Sequence, residues 1–261
     1  MKNLIYFLLI AFLGISCSDE GFNKYASDSS SGGNGKGGSM ARFAISGDML
    51  YTVSSNSLQL FNIEDAADPK YFPERDVQVG FDIETIFPMD TLLFIGSRSG
   101  MFVYDISAPR FPMLLSQVSH FRSCDPVVAQ GNYAYVTLNT NISSCGATPN
   151  NVLDIYDISN LSSPMLKKTI QLNGPTGLGV DGDKLFVCDK GLKVFNISDP
   201  IAPRQIDDLA EIDEVDVRNA YDVIPVDGLL ILVAQEGLFQ FDYTGDRLKF
   251  MSKIEIKKET P

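Results

Sequence analysis

The sequence predicts an all-β chain, five four-stranded antiparallel blades set around an axis as a five-bladed β-propeller, and three observations predict it. A strand-like octet recurs five times, its copies stand at blade-like intervals, and no stretch after Met40 carries a helical period. The octet is clearest at Gly191 to Ser198. It returns at Ser57 to Glu64, Gly100 to Ser107, Asn151 or Val152 to Ser159, and Gly237 to Thr244. Each copy reads Leu or Met, any residue, an apolar residue, an aromatic, then Asp or Asn. Leu60, Val103, Ile155 and Val194 fill the apolar slot, with Gln240 the one departure, and Phe61, Tyr104, Tyr156, Phe195 and Phe241 fill the aromatic slot. Such alternation, rich in β-branched and aromatic residues, is strand composition. The anchors Asn62, Asp105, Asp157, Asn196 and Asp242 lie 43, 52, 39 and 46 residues apart. A proline follows the first four anchors at a constant interval (Pro69, Pro112, Pro164, Pro203), and Lys249 takes its place in the fifth copy. A lone blade exposes both faces, so neighbours must stack around an axis to cover them. An open solenoid is the alternative, and it would need capping units unlike the first and fifth copies.

Taken in order, residues 1–16 have the layout of an exported lipoprotein's signal peptide: Lys2, the apolar run Leu4 to Leu13, then small residues before Cys17. The run is too short for a stable bilayer-spanning helix. Leu13-Gly14-Ile15-Ser16-Cys17 resembles a lipobox, which makes Cys17 the acylated first residue, with an ordinary secretory signal as the alternative. Residues 17–39 follow as a tether, since Ser29 to Ser39 is Ser, Gly and Asn apart from Lys36 and has almost nothing to bury. Ser18-Asp19-Glu20 resembles the surface-export signal of Bacteroidetes-type lipoproteins. The expected location is therefore the outer membrane, facing outward, held by lipid rather than by a protein helix.

Residues 40–256 hold the blades, and 257–261 form a tail. The first blade is expected at Phe43 to Ser46, Met49 to Ser54, Leu58 to Ile63 and Tyr71 to Val79, its first hairpin turning at Gly47-Asp48. The second takes Thr85 to Met89, Leu92 to Ser97, Met101 to Ile106 and Met113 to Ser119. The third takes Pro126 to Gln130, Tyr133 to Leu138, Leu153 to Ile158 and Met165 to Leu172. The fourth takes Leu178 to Asp181, Lys184 to Cys188, Leu192 to Ile197 and Arg204 to Leu209. The fifth takes Asp222 to Val226, Leu229 to Ala234, Leu238 to Tyr243 and Leu248 to Ile256. Phe102 to Ser107, Asp154 to Ser159 and Lys193 to Pro200 resemble the repeats of the LVIVD-repeat proteins of Bacteroidetes. That resemblance implies a propeller on a surface or outer-membrane lipoprotein, and it implies no particular activity.

Apolar residues make up 44% of the 261 and charged residues 21%, ordinary globular values that allow a substantial core. The net charge of −12 disfavours nucleic acid or an anionic lipid surface as the main partner. With Cys17 given to lipid, three cysteines remain. Cys145 sits in the insertion Asn139 to Asn151 and Cys124 just before the third blade's first strand. Both lie on loops of one propeller face, so a Cys124–Cys145 disulfide is the favoured pairing, with Cys188 as the competing partner. No CxxC-type spacing points to a metal, no cofactor motif is present, and His120 reads as a surface or loop histidine.

Aligning the first strands brings Glu84, Asp125, Thr176 (or Gly177) and Asp222 into register at the blade entries, with Arg42 opposite them, around the mouth of the channel. The second-to-third strand loops of the same face add Arg98, Asn139, Asp189 and Glu236. These nine are the candidate binding residues. Carboxylates here can bind a cation or polar ligand, or simply hold turn amides. The Gly174 to Gly179 run has no helix after it, which favours a tight blade crossover over a phosphate cradle. No GxSxG, HExxH or P-loop motif is present. The expected function is a non-catalytic binding module for a protein or glycan partner. The alternative is an extracellular polysaccharide hydrolase, which would need two of Glu84, Asp125 and Asp222 placed across a cleft at glycosidase spacing.

Overall fold

The computed structural model describes residues 37–120, 126–141, 150–213, 215–245 and 247–256. These fall in one unit of the chain, Gly32–Pro261; the other unit, Met1–Ser31, lies outside the described residues. Five antiparallel sheets stand in a ring. The first pairs Phe43–Ser46, Met49–Val53, Ser57–Asn62 and Lys70–Tyr71 in that order. The second uses Ile83–Met89, Leu92–Ser97, Gly100–Asp105 and Met113–Ser119, and the third Val127–Gln130, Tyr133–Leu138, Val152–Asp157 and Met165–Gln171. The fourth uses Pro175–Asp181, Lys184–Asp189, Leu192–Asn196 and Arg204–Leu209, and the fifth Ala220–Val226, Leu229–Ala234, Gly237–Asp242 and Lys249–Glu255.

Two details differ from expectation. The first blade's outer strand is split, because Pro73 cannot donate to the ladder and instead opens the one-turn 3-10 helix Pro73–Arg75, after which Val77–Gln78 rejoins the same neighbour. Between the fourth and fifth blades a short extra hairpin pairs Glu211–Ile212 with Val215–Asp216.

The recurring anchor has a physical role. At the end of every third strand its side-chain oxygen accepts the amide two residues on, from Glu64 to Asn62 (2.8 Å), Ser107 to Asp105 (2.7 Å), Ser159 to Asp157 (3.0 Å), Ser198 to Asn196 (3.1 Å) and Thr244 to Asp242 (2.8 Å). This closes an Asx turn that ends the strand and starts the crossing to the outer strand. Hydrogen bonds within these turns hold three carboxyls below the usual range: the Ser107 amide acts most on Asp105, and the Ser159 and Thr244 hydroxyls, which donate to the same anchor oxygens, act most on Asp157 and Asp242. A lowered folded pKa stabilises the fold above the ordinary carboxylate value, and that stabilisation is lost as pH falls through the lowered one. Asp157→Asn, which keeps the acceptor as Asn62 and Asn196 do, should melt close to the parent at neutral pH and lose less on acidification to about pH 3. Asp157→Ala should melt lower at both. Equal melting of the two variants at neutral pH would remove the turn's role.

Within the octet, first and third slots point to the following blade and second and fourth to the preceding one. Leu58 and Leu60 meet Phe102 and Tyr104, Met101 and Val103 meet Tyr156, Leu153 and Ile155 meet Phe195, and Leu192 and Val194 meet Phe239 and Phe241. Most of these side chains are 0–4% exposed. Four apolar clusters thus seal four junctions. At the fifth junction the equivalent residues of the last blade, Leu238 and Gln240 with Ile231 and Val233 beside them, are half-buried. So are Gln59, Phe61 and Leu50 of the first blade, and Phe43 is 55% exposed. Among the described residues no apolar cluster joins these two faces. The departure at Gln240 therefore marks the one unsealed seam.

Candidate functional site

The seam is bridged at the axis by the residues just ahead of the first strand. Ser39 is fully buried; its Oγ donates to Asp222 Oδ1 (2.9 Å) and accepts from the Leu178 amide (2.8 Å), and the Met40 amide donates to Asp222 Oδ2 (3.2 Å). The Ile86 amide donates to the Ala41 carbonyl (2.9 Å), so this short run ties the fifth, fourth and second blades together. Burial pushes the Asp222 carboxyl up, and the hydrogen bonds from Ser39, Met40 and Val223 oppose that only in part.

Above this bridge lies a cavity of about 320 Å3 at the channel mouth. Arg42, Glu84, Asn139 and Thr176 line it among the predicted residues, and Met40, Thr85, Pro126 and Pro175 join them. The first strands that carry the mouth are bulged in three blades, with Glu84 out of register in the second, Thr176 and Gly177 opposite the single Cys188 in the fourth, and Tyr221 out of register in the fifth. Bulges re-aim side chains at the ends of strands. Tyr221, 47% exposed, is thus the counterpart of Glu84, whereas Asp222 occupies the next position inward, beside Gly177.

The remaining candidates divide. Arg98 Nε donates to Glu84 Oε1 (2.9 Å), so the rim carboxylate already holds a cation. Asn139 Nδ2 donates to the Pro175 carbonyl (2.6 Å) and Thr176 Oγ1 to the Ala220 carbonyl (3.2 Å), fastening the third blade to the fourth and the fourth to the fifth. Asp189 is 2% exposed and accepts the amides of Asn173 (2.9 Å) and Gly174 (2.7 Å), which makes it a crossover clamp rather than a ligand contact. Glu236 is exposed on its loop. Asp125 and the Cys124–Cys145 pairing lie outside the described residues. Cys188 is unpaired and wholly buried against the fifth blade, and burial pushes its thiol up. A Cβ on Gly177 would stand 2.6 Å from Asp222 Cα, so the glycine run is a tight crossover. Among the described residues no group of His, Cys, Asp and Glu is placed to hold a metal ion.

Glycoside hydrolysis uses two carboxyls that flank the scissile bond. Of the two described candidates, one is locked under Ser39 and the other is paired with Arg98. What the mouth offers is a recess with apolar walls, the exposed Arg42 on its rim, and a floor made by the bridge.

Comparison with known proteins agrees with the architecture. The LVIVD repeat model matches residues 122–142 and 145–171, which together span the third blade. No curated protein is similar enough to count as a relative. The fold is similar to a functionally unknown protein from Desulfotomaculum acetoxidans, at 15% identity over 79% of this chain and 68% of that one, TM-score 0.57. It is similar also to a protein from Lactobacillus plantarum, at 15% identity over 80% and 68%, TM-score 0.57. AztD from Citrobacter koseri matches at 14% identity over 78% and 58%, TM-score 0.56. The chain thus spans between 58% and 68% of these structures' own length, and at such identities the likeness is one of fold. The chain is a five-bladed β-propeller whose third blade is similar to the LVIVD repeat.

Proposed function

We propose that the protein is a surface-exposed outer-membrane lipoprotein, acylated at Cys17, whose propeller mouth is a non-catalytic binding module for a protein or glycan partner. The observation that carries this reading is the 320 Å3 mouth cavity, lined among the described residues by one carboxylate, Glu84, which is already committed to Arg98, while Asp222 is committed to the bridge. A recess of this size with largely apolar walls and a few polar groups suits recognition. The lipobox-like run, Ser18-Asp19-Glu20 and the Ser/Gly stretch before the first blade support an anchored, outward-facing domain.

The test joins address and mouth. Metabolic labelling with an alkyne fatty acid should mark the full chain, and Cys17→Ser should abolish the label and release the protein from membranes. Protease added to intact cells should cut the parent protein. Cross-linked partners captured from the cell surface should be lost when Arg42 and Arg98 are both changed to Glu. Labelling that persists in Cys17→Ser overturns the anchor, and capture unaffected by the rim changes overturns the mouth as the binding face.

A further inference from the structure

We infer that the mouth cavity takes a carboxylate attached to a compact apolar group. This inference rests on the binding-module reading and gives it a ligand chemistry.

Four observations converge on it. First, the walls are largely apolar: Met40, Pro126 and Pro175 come from three different segments, and among the described residues no aromatic ring lines the cavity. Second, the rim carboxylate Glu84 already receives the Arg98 guanidinium at 2.9 Å, so it adds little net negative field. Third, the exposed Arg42 is among the residues lining the cavity. The one hydrogen bond its guanidinium makes among the described residues, from Nη2 to the Val53 carbonyl, is long at 3.4 Å, leaving most of a five-donor fork unused. Fourth, the short run from Gly37 to Met40 joins a second space of about 50 Å3, lined by Gly37, Val128 and Leu178, to the mouth lined by Met40, with Ser39 wholly buried between these two in the sequence.

A planar guanidinium beside an apolar recess selects a forked anion whose body is apolar. A volume of 320 Å3 lies at the small end for ligand pockets, so the body is a branched aliphatic group or one small ring. Two sources share this chemistry: a free short-chain organic acid, and the C-terminal residue of a polypeptide, whose α-carboxylate and apolar side chain would sit in the same places.

The experiment uses the full-length chain in detergent with 13C-methyl methionine, so that Met40 reports from inside the cavity. The probes are 4-methylpentanoate, the matching alcohol 4-methylpentanol, the matching amine 4-methylpentylamine, and the tripeptide Gly-Gly-Leu with its C-terminus free or amidated. Saturable movement of the Met40 methyl is expected with 4-methylpentanoate, with the alcohol and the amine at least about tenfold weaker, as for loss of a charge-assisted hydrogen bond. Arg42→Gln, an exposed position that leaves the fold intact, should weaken the acid about tenfold and leave the alcohol unchanged. Response to the free tripeptide but not the amidated one assigns the site to polypeptide C-termini; response to the acid with neither tripeptide assigns it to free acids. The inference is overturned if the acid moves Met40 no more than the alcohol does, or if Arg42→Gln binds as well as the parent. Partner capture that still depends on the rim in that case leaves the binding-module reading standing without this ligand chemistry.

Discussion

Ile155→Gln is expected to cost about 4 kcal/mol of folding stability, combining lost apolar burial of about 2–3 kcal/mol with a buried amide that finds no partner. Ile155 is 0% exposed in the cluster shared by the third and fourth blades. The reciprocal change, Gln240→Ile, occupies the same slot of the fifth copy and should shift stability by no more than about 0.5 kcal/mol. Gln240 is half-buried at the unsealed seam, and its Oε1 accepts from Ser252 Oγ (2.7 Å) at the surface. Thermal melts decide the matter: for a domain of this size the first variant should fall by about 10 °C and the second by about 1 °C. Similar losses in both would mean that the last blade is as tightly covered as the inner ones.

Gly177→Val should be equally damaging for the opposite reason. The inner strands of the fourth and fifth blades run so close that any β-carbon at Gly177 meets the Asp222 backbone, and one at Gly179 meets the Val223 carbonyl at 2.8 Å. Neither neighbour is a flexible side-chain tip, and both belong to ladders fixed by their own pairing. Overpacking against backbone places the expected cost at about 3 kcal/mol or more, with the buried Ser39–Asp222 bridge displaced as well. The control is Gly182→Ala. Gly182 turns the adjacent hairpin at φ +56° with open space around it, and only the left-handed strain of about 1 kcal/mol should appear. Denaturant melts of the two glycine variants side by side measure this; equal midpoints would refute the crowded crossover.

Much of the fold is legible in the octet because each slot encodes a separate requirement. Alternate positions clothe two sheet faces, and the terminal Asp or Asn ends the strand through its own side-chain oxygen, so a short pattern specifies strand, neighbours and turn together. The mouth was legible more coarsely. Glu84 and Thr176 were in register by sequence spacing, but the bulge at Tyr221 shifts Asp222 inward, and one extra residue leaves no mark in composition. Ring closure was hidden for a related reason: Ser39 ends a run of Ser and Gly that reads as linker, and nothing local distinguishes a serine that will be buried against Asp222 from its solvated neighbours. Asp189 shows the same limit, since its value as a clamp depends on amides at Asn173 and Gly174 that fold back to reach it.

The placement of that closing serine has a mechanical side. Chain ahead of Gly37 leads directly into the Ser39–Asp222 contact, so a pull from that direction bears first on three hydrogen bonds and then on the least covered pair of sheets. Rupture there would peel the first blade outward while the other four stay stacked on intact cores. A protein tugged from its N-terminal side would thus open like a fan from one rib, and its recess would widen before its body unravelled.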